Sequence, residues 1–466
     1  MGRARTPPLD EARWWRLEPR AQETLRGALE RTLRDAILTG SLRAGVRLPA
    51  SRVLARELGV SRGVVSDAYA QLASQGFVMS RSRTAPIVAD AARPTVTRTP
   101  TDPLPTVRYD LTPRLPDVSL FPLRRWLTVE QRVAREARNA VLTYREPRGE
   151  RALREGLADH LGRTRGVIAF PEAIFITQGA GQSIDLFLRV LSARGAVSVA
   201  LEDPSQQILH KRVIAHGLAL APRPVDEHGL TVDDMHDDAV LVMPAHQFPT
   251  GVVLTAERRR RLLAWSRATG GLIIENDYGA EFRYDPEPVR ALQGLAPDQV
   301  VLIGTVATTL APALRLGWLI VPPALVDETA YQQRLSDNSC PALSQLTLAA
   351  FLAGGDHDRH LRAARAVYRA RRDQLLEAIE RHLPGLPVTG QAAGVHLLLG
   401  LPSELDDHAI ADRALQAGIE VPALSSFCIA RTDRRGLVIG YGAVHRAAIG
   451  SAISQLASIV RAQPRC

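Results

Sequence analysis

The sequence predicts a multi-domain protein, with a small N-terminal winged helix-turn-helix and a large α/β domain built on a mostly parallel sheet. Two short helices joined by a glycine turn predict the first, and apolar runs alternating with amphipathic helices after Tyr109 predict the second. A proline- and threonine-rich stretch separates them. We therefore expect a DNA-binding domain over 15–90, a linker over 91–107 and a domain over 108–466, whose smaller α+β lobe covers about 341–466.

Composition excludes several classes of protein. The 466 residues are 45% hydrophobic and 23% charged, which is ordinary for a globular chain with at least one large core. No apolar run reaches 18 residues and none follows the first arginines, so we expect no membrane span, no signal peptide and a cytoplasmic protein. Cys340, Cys428 and Cys466 are odd in number and far apart, which argues against disulfides and thiolate metal sites. We expect no metal.

Positive charge is concentrated at the N-terminus. The formal net charge is +9, and residues 1–90 hold 15 arginines against 9 acidic residues, a net of +6. This distribution favours a polyanionic partner for the N-terminal part. Of the 58 basic residues, 57 are arginine and Lys211 is the one lysine.

The N-terminal module begins with a packing helix over Ala21–Thr39, which Gly40 ends. A helix over Ser51–Leu58, the turn Gly59–Val60 and a helix capped by Ser61 follow. The apolar stripe of the first helix comprises Leu25, Leu29, Leu33 and Ile37, and the inner face of the last comprises Val65, Ala68, Tyr69 and Leu72.

The exposed start of the second short helix is the part that such a motif places in the major groove of duplex DNA. Residues from Phe77 to Val88 are expected to form two strands around a basic wing. The candidate DNA-binding residues are Arg52, Ser61, Arg62, Gly63, Ser66, Arg81 and Arg83.

The stretch LPASRVLARELGVSRGVVSDAYAQLASQGF resembles the signature of GntR-type winged-helix regulators over about thirty residues. It departs from that signature at Ala50, Val64 and Gln75, and the wing carries Arg83-Thr84-Ala85-Pro86 where the family has a glycine-serine-glycine tip. The first three changes bear on which operator is bound, and the last bears on the wing's minor-groove contact. A winged helix used only for protein contacts is the alternative.

In the large domain, the runs AIFIT, AVSVAL, AVLVMPA, GLIIEN, VVLIGT and GWLIVP predict strands, and Ala256–Thr269 predicts one of the helices between them. From about Pro341 the sequence predicts long arginine-rich helices around Arg359–His382, a strand over Val395–Leu401 and a closing helix over Val444–Ala462.

Several segments of the large domain resemble fold type I aminotransferases, and specifically the aminotransferase-like half of MocR/GabR-type regulators. The resemblance implies one chain with both halves and a homodimer whose effector domains pair head to tail. The segments are LPDVSLFP (115–122), LTYREPRGERALREGLADHL (142–161), ITQGAGQSIDLFL (176–188), HQFPTG (246–251), ENDYGAEFRY (275–284), VLIGTVATTLAPALRLGW (301–318) and HLRAARAVYRARR (360–372).

The resemblance implies a pyridoxal phosphate pocket of which one half is kept. Gly179, Ala180 and Gly181 match the phosphate-binding turn, where free backbone N–H groups face an anion, and Arg315 matches the phosphate arginine. Tyr144 matches a tyrosine that reaches the phosphate from the neighbouring subunit. The other matching residues are Tyr278, as partner of the phenolic oxygen, and His246 with Gln247, in the loop flanking the ring.

The chemical half of the pocket is lost. Thr308 stands where the family has its Schiff-base lysine, and Asn276 stands where the family has the aspartate that pairs with the pyridine nitrogen. Gln206 replaces the stacking aromatic residue. Lys211 lies in the next helix, five residues beyond Gln206, and its pattern is typical of a solvated surface charge. We expect no aldimine and no catalytic residue.

These features together predict a DNA-binding transcription regulator that is not an enzyme. Its aminotransferase-like domain either senses a small-molecule effector or serves as a structural dimerisation scaffold, which the sequence does not separate. The alternative is an active pyridoxal phosphate-dependent aminotransferase fused to a DNA-binding domain. Pyridoxal phosphate itself is implied by the family resemblance alone.

Overall fold

The computed structural model describes residues 17, 19–20, 23–79, 85–90, 107–113, 116–277, 279–284, 289–336, 340–390, 393–431 and 433–463. The chain forms two compact units, Met1–Pro103 and Leu104–Cys466. Within the described ranges, every helix is too short or too polar to cross a lipid bilayer.

The N-terminal unit contains three helices and a two-stranded antiparallel sheet in its described part. Thr24 caps the first helix by accepting from Gly27 N, and Gly59 ends the second in the left-handed conformation, with φ +66°. Val78 pairs with Val88 in the sheet. The elements are α1 (Leu25–Leu38), α2 (Ser51–Leu58), α3 (Arg62–Ser74), β1 (Val78–Met79) and β2 (Ile87–Val88).

The core of this unit confirms the predicted inner face of α3, because Val65, Ala68, Tyr69 and Leu72 are all buried. The predicted stripe of α1 holds except at Leu25, which is 47% exposed. Leu25 is the first residue of α1, which begins four residues later than predicted.

The large unit alternates strands and helices as predicted. Its elements are β3 (Tyr109–Asp110), α4 (Leu123–Glu136), α5 (Arg151–Arg165), β4 (Ile174–Thr177), α6 (Ala180–Ala193), β5 (Ser198–Asp203), α7 (Gln207–Ala215), β6 (Ala219–Asp226), β7 (Gly229–Leu230), β8 (Ala239–Val242), α8 (Ala256–Thr269), β9 (Leu272–Asn276), β10 (Val300–Thr305), β11 (Gly317–Ile320), α9 (Val326–Ser336), α10 (Ala342–Ala353), α11 (Asp356–His382), β12 (Val388–Thr389), β13 (His396–Leu401), α12 (Asp407–Gln416), β14 (Ile419–Glu420), β15 (Arg435–Gly440) and α13 (Ile449–Arg461).

An eight-stranded sheet forms the centre of this unit, in the order β4-β11-β10-β9-β8-β5-β6-β7. Strands β4, β10, β9, β8, β5 and β6 run parallel, and β11 and β7 run against them. Helices cover both faces. Val301 and Ile303 pack towards α6 and α7, whereas Leu302 packs towards α4, α5 and α10, as expected for a strand buried on both sides.

The smaller lobe is built on the antiparallel sheet β12-β13-β15, with α11 and α13 in the same core. Tyr109 of β3 belongs to that core as well, because β3 pairs in parallel with β14. Leu348 and Phe351 of α10 pack instead with α4 and α5. The apolar packing thus divides the large unit near the start of α11, and the lobe expected from about 341 also takes in the first strand of the unit.

Candidate functional sites

The start of α3 is fixed by its cap. The Ser61 hydroxyl accepts a hydrogen bond from Val64 N at 3.3 Å, which satisfies one of the free amides of the first turn. Ser61, Arg62, Gly63 and Ser66 are all exposed, because the buried residues of α3 lie on the opposite side. The structure therefore presents these four predicted residues together on one solvent-facing surface.

Arg52 is exposed on α2, and within the described part of the chain neither Arg52 nor Arg62 forms an ion pair. Both guanidinium groups are available to an anionic partner. Arg81 and Arg83 of the predicted wing lie outside the described residues.

Two of the departures from the GntR signature occupy positions that the structure makes clear. Ala50 is the N-cap of α2, where it provides no side-chain hydrogen bond to the helix. Val64 is half-buried in the first turn of α3. The alanine therefore leaves the start of α2 without a side-chain cap.

Sequence reasoning missed two exposed arginines before α2. Arg47 forms an antiparallel bridge with Ile87 of β2, and Arg43 is exposed four residues earlier. Neither forms an ion pair with a described residue. Their sequence signal is the run LRAGVRLP, whose arginines immediately precede the helix-turn-helix.

In the large unit, the predicted pocket residues converge on the carboxyl edge of the parallel sheet. Gly179 follows β4, Asn276 ends β9 and Thr308 follows β10. Gln206 follows β5, and Arg315 directly precedes the antiparallel β11. The carboxyl edge of a parallel sheet is where open α/β folds bind ligands, so residues more than 100 positions apart in sequence belong to one region.

The glycine turn forms the anion-binding end of this region. Gly179 has φ +99°, a conformation that suits glycine, and precedes the 14-residue helix α6. The first amides of such a helix have no carbonyl to bond within the helix and point towards an anion. Arg315 is exposed and lies against the turn, because a Cβ atom on Gly179 would come within 3.7 Å of its Nη1 atom.

A second guanidinium flanks the same turn. Arg212 of α7 donates to the carbonyl of Gly181 at 3.1 Å and forms an ion pair with Asp185 of α6. Burial lowers the pKa of Arg212, and the nearby charge of Arg315 lowers it further. Sequence reasoning did not predict Arg212 as a pocket residue. The one sequence feature that marks it is its position next to Lys211.

At the opposite end, the carboxylates beside Asn276 are already engaged. Glu275 is completely buried and accepts from the backbone amides of Leu292 and Gln293 at 3.0 and 2.9 Å, and its burial raises its pKa to about 7. Asp277 forms a buried ion pair with Arg165, in which both carboxylate oxygens are bonded. Neither group is free to replace the aspartate that Asn276 displaces.

Thr308 is half-buried in the turn after β10 and offers a hydroxyl but no amine. Lys211 is exposed on α7 and lines a cavity of about 450 Å³ with Gln206, α12 and β14, and Thr308 is not among the residues that line it. Arg212, the next residue, faces the glycine turn instead, so the two neighbours serve different surfaces.

The HQFPTG loop is held by Gln247 rather than by His246. The Gln247 amide donates to the carbonyls of Pro204 and Phe248, and its oxygen accepts from Thr250. The His246 ring is completely buried against His396, with ring centroids 4.8 Å apart. Burial holds the pKa of His246 well below its usual range, so the ring is neutral.

Tyr144 is 92% exposed on its own subunit. Tyr278, the expected partner of the phenolic oxygen, lies outside the described residues. Gly179 and Arg315 fit the phosphate end of pyridoxal phosphate. Thr308 does not fit its covalent attachment, and Asn276 does not fit an ion pair with its ring nitrogen.

The N-terminal unit and the large unit match two different protein families. Residues 25–88 match the model of bacterial regulatory proteins of the gntR family, and residues 115–444 match that of class I and II aminotransferases. The chain is 31% identical over 439 residues to the pyridoxine biosynthesis transcriptional regulator PdxR of Corynebacterium glutamicum, covering 91% of this chain and 94% of that protein. It belongs to the MocR/GabR-type transcriptional regulators.

Other members of the MocR/GabR type match over similar lengths. The probable rhizopine catabolism regulatory protein MocR of Rhizobium meliloti is 30% identical over 452 residues, covering 91% of this chain and 92% of that protein. Among solved structures, an archaeal alanine:glyoxylate aminotransferase superposes with a TM-score of 0.71 at 25% identity, covering 76% of this chain and 91% of the other. The chain is thus a DNA-binding transcription regulator with an aminotransferase domain.

Proposed function

We propose that the aminotransferase domain of this regulator binds a small phosphate-bearing or other anionic effector without covalent attachment and without transamination. The observation that carries the proposal is the glycine turn of α6, flanked by Arg315 and Arg212, at a sheet edge where Thr308 replaces the amine. Backbone amides and guanidinium groups recognise an anion through charge and hydrogen bonds alone. The effector would alter DNA affinity, and the protein would act in the cytoplasm.

We further propose that the large units pair head to tail in a homodimer. Leu142 and Tyr144 are 77% and 92% exposed, and Leu123 and Leu127 of α4 are 55% and 44% exposed. Leu142 and Tyr144 are two positions apart in the sequence, and adjacent exposed apolar side chains are typical of a surface that another protein covers. Light scattering on a fragment spanning 107–466 should give a dimer, and a monomer at working concentrations would contradict this assignment.

The effector proposal is tested by titrating the full-length protein with pyridoxal phosphate and, separately, with inorganic phosphate. Arg315→Ala should weaken both by about tenfold, the usual scale for one charge-assisted contact. Arg194→Ala is the matched control, since Arg194 is an exposed arginine at the far end of α6 and should leave binding unchanged. Equal binding in both variants would place the anion elsewhere.

Covalent attachment is tested by borohydride reduction and peptide mapping. We expect dialysis to remove pyridoxal phosphate and reduction to leave no adduct. Because Lys211 is the one lysine of the chain, an adduct that disappears in Lys211→Arg would identify a relocated attachment point and overturn the non-covalent assignment. Turnover of an amino acid by the unmodified protein would favour the aminotransferase alternative.

A further inference from the structure

Three metal-ligating side chains meet outside the effector pocket, where α5 passes the first turn of α11. His160 belongs to α5, and His357 and Asp358 are consecutive residues of α11. One ligand atom from each residue lies within 4.8 Å of the ligand atoms of the other two. His160 Nδ1 is 3.8 Å from Asp358 Oδ1, and the two imidazole rings meet edge to face with centroids 5.0 Å apart.

His357 is the least satisfied of the three. Its side chain is 4% exposed, and neither ring nitrogen has a hydrogen-bond partner among the described residues. Most buried polar atoms in proteins are bonded, so this buried imidazole leaves two nitrogens open to a water or an ion. A cation bound to one ring nitrogen would satisfy one of the two.

We propose that His160, His357 and Asp358 bind a divalent transition-metal ion of the zinc class. Two imidazoles and one carboxylate form a donor set that suits Zn²⁺, whereas Mg²⁺ and Ca²⁺ prefer oxygen ligands alone. In tetrahedral zinc sites the ligand atoms lie about 3.4 Å apart, so the widest separation here must close by roughly 1.4 Å. The proposal requires the side chains to rotate by that amount, and water would complete the fourth position.

The usual signals of a zinc site are absent from the sequence around these residues. Sequence analysis expected no metal because it searched for paired cysteines, and His160 lies nearly two hundred residues before His357. The fold brings the two histidines together by packing α5 beside the start of α11. The position of the site gives the ion a structural role, because it would join these two helices.

Arg163 contacts two of the three proposed ligands. Its Nη2 atom lies 2.7 Å from Asp358 Oδ2 and 3.4 Å from His160 Nδ1. The Arg163 side chain is 61% exposed, so it can turn into solvent when an ion arrives. Competition of this kind predicts that removing the guanidinium strengthens metal binding.

The site also connects to the effector pocket through α11. His360, one turn beyond His357, is hydrogen-bonded to the carbonyl of Thr309 at 2.6 Å, and Thr309 follows Thr308 in the turn after β10. An ion that fixes the first turn of α11 therefore also fixes the helix that holds this turn in place.

The test is a zinc titration of the metal-stripped full-length protein by calorimetry, with thermal unfolding measured in parallel. We expect one Zn²⁺ per chain, an increase in Tm on binding, and at least about tenfold weaker binding in His357→Ala. Arg163→Ala should bind more tightly than the unmodified protein. His228→Ala is the control, because His228 is exposed with a single neighbouring carboxylate and should leave the affinity unchanged.

Asp358→Asn separates lost ligation from damaged folding, since Asp358 is partly exposed and its amide keeps the same size. It should weaken zinc at least about tenfold while the metal-free protein keeps its Tm. The assignment is overturned if the unmodified protein, Asp358→Asn and His357→Ala bind zinc equally, or if none of them binds it.

Discussion

The two units of the chain arrange function and packing differently. On α3, Arg62 and Ser66 are exposed while Val65 and Leu72 are buried, so the residues expected to contact DNA differ from those that form the core. At the end of β9, three consecutive residues alternate in role. Glu275 and Asp277 hold the fold through buried bonds, and Asn276 between them occupies the position of the lost cofactor contact.

This difference is how the large unit could keep its shape if the cofactor chemistry is lost, as we propose. The residues that the fold requires at the carboxyl edge are not those that attach a cofactor, although they are neighbours in sequence. Substitution at Asn276 or Thr308 leaves the buried bonds of Glu275 and Asp277 intact. In the N-terminal unit, by contrast, we expect a change on the exposed face of α3 to affect DNA binding and not stability.

The largest expected effect is on the buried ion pair of the large unit. Arg165→Met should lower the free energy of unfolding by about 3–5 kcal/mol, because it leaves Asp277 buried without a counterion. Chemical denaturation measures this change. Arg151→Ala, which removes an exposed pair with Glu155, is the control and should have no measurable effect.

A second substitution tests whether the lost stability comes from the unpaired Asp277 carboxylate. Adding Asp277→Leu to Arg165→Met removes the unpaired carboxylate and should recover part of the lost stability. A double variant no more stable than Arg165→Met alone would show that Asp277 contributes more than its pairing, and the division of roles at the end of β9 would need revision.

Glu202, completely buried at the end of β5, gives a pH-dependent prediction. Burial raises its pKa from 4.5 to about 8, so between these values the folded chain holds a proton that the unfolded chain has released. Its contribution to stability is complete below pH 4.5 and is lost as the pH rises towards 8. Glu202→Gln should therefore remove about 2–4 kcal/mol of pH-dependent change across this window.

The measurement is the free energy of unfolding of both proteins at several pH values, taken as a difference so that Glu275 and other shared groups cancel. Glu227→Gln is the control, because Glu227 is an exposed carboxylate on a turn. Parallel pH profiles for the unmodified protein and Glu202→Gln would show that Glu202 is ionised in the fold.

In the N-terminal unit, we expect a substitution on the exposed face of α3 to change DNA affinity and not stability. Arg62→Ala should cost about 1–3 kcal/mol of affinity for a duplex that the protein selects from a random pool, measured at physiological salt. Its Tm should not change, because Arg62 is exposed and forms no ion pair with a described residue. Arg26→Ala, on the exposed side of α1, is the control. Unchanged affinity in Arg62→Ala would mean that Arg62 at the start of α3 does not contact DNA.

Sequence patterns predicted the fold well where periodicity and caps act locally. The helices over Ser51–Leu58 and Ala256–Thr269 have the predicted bounds, since Gly59 ends one and Thr255 caps the other. The lobe boundary was predicted less well. The pairing of β3 with β14 joins residues about three hundred positions apart, and no local pattern encodes it.

The candidate sites show the same limit. Motif positions predicted the glycine turn and Thr308 as pocket residues, and the structure places both at the carboxyl edge of the sheet. Arg212 and the pair of His160 with His357 were missed, because each depends on helices that meet only in the folded chain.

The smallest expected effect is a gain of covalent pyridoxal phosphate binding. It tests whether the residues at positions 206, 276 and 308 act together. Thr308→Lys restores an amine after β10, yet Asn276 remains neutral and Gln206 provides no aromatic ring. Because Glu275 and Asp277 are held in buried bonds, neither can supply the missing carboxylate. We expect only a weak borohydride-reducible adduct at position 308, increased when Asn276→Asp is added. The measurement is the yield of reduced adduct mapped to position 308 in each variant. A full yield with amino-acid turnover in Thr308→Lys alone would mean that only the amine was missing.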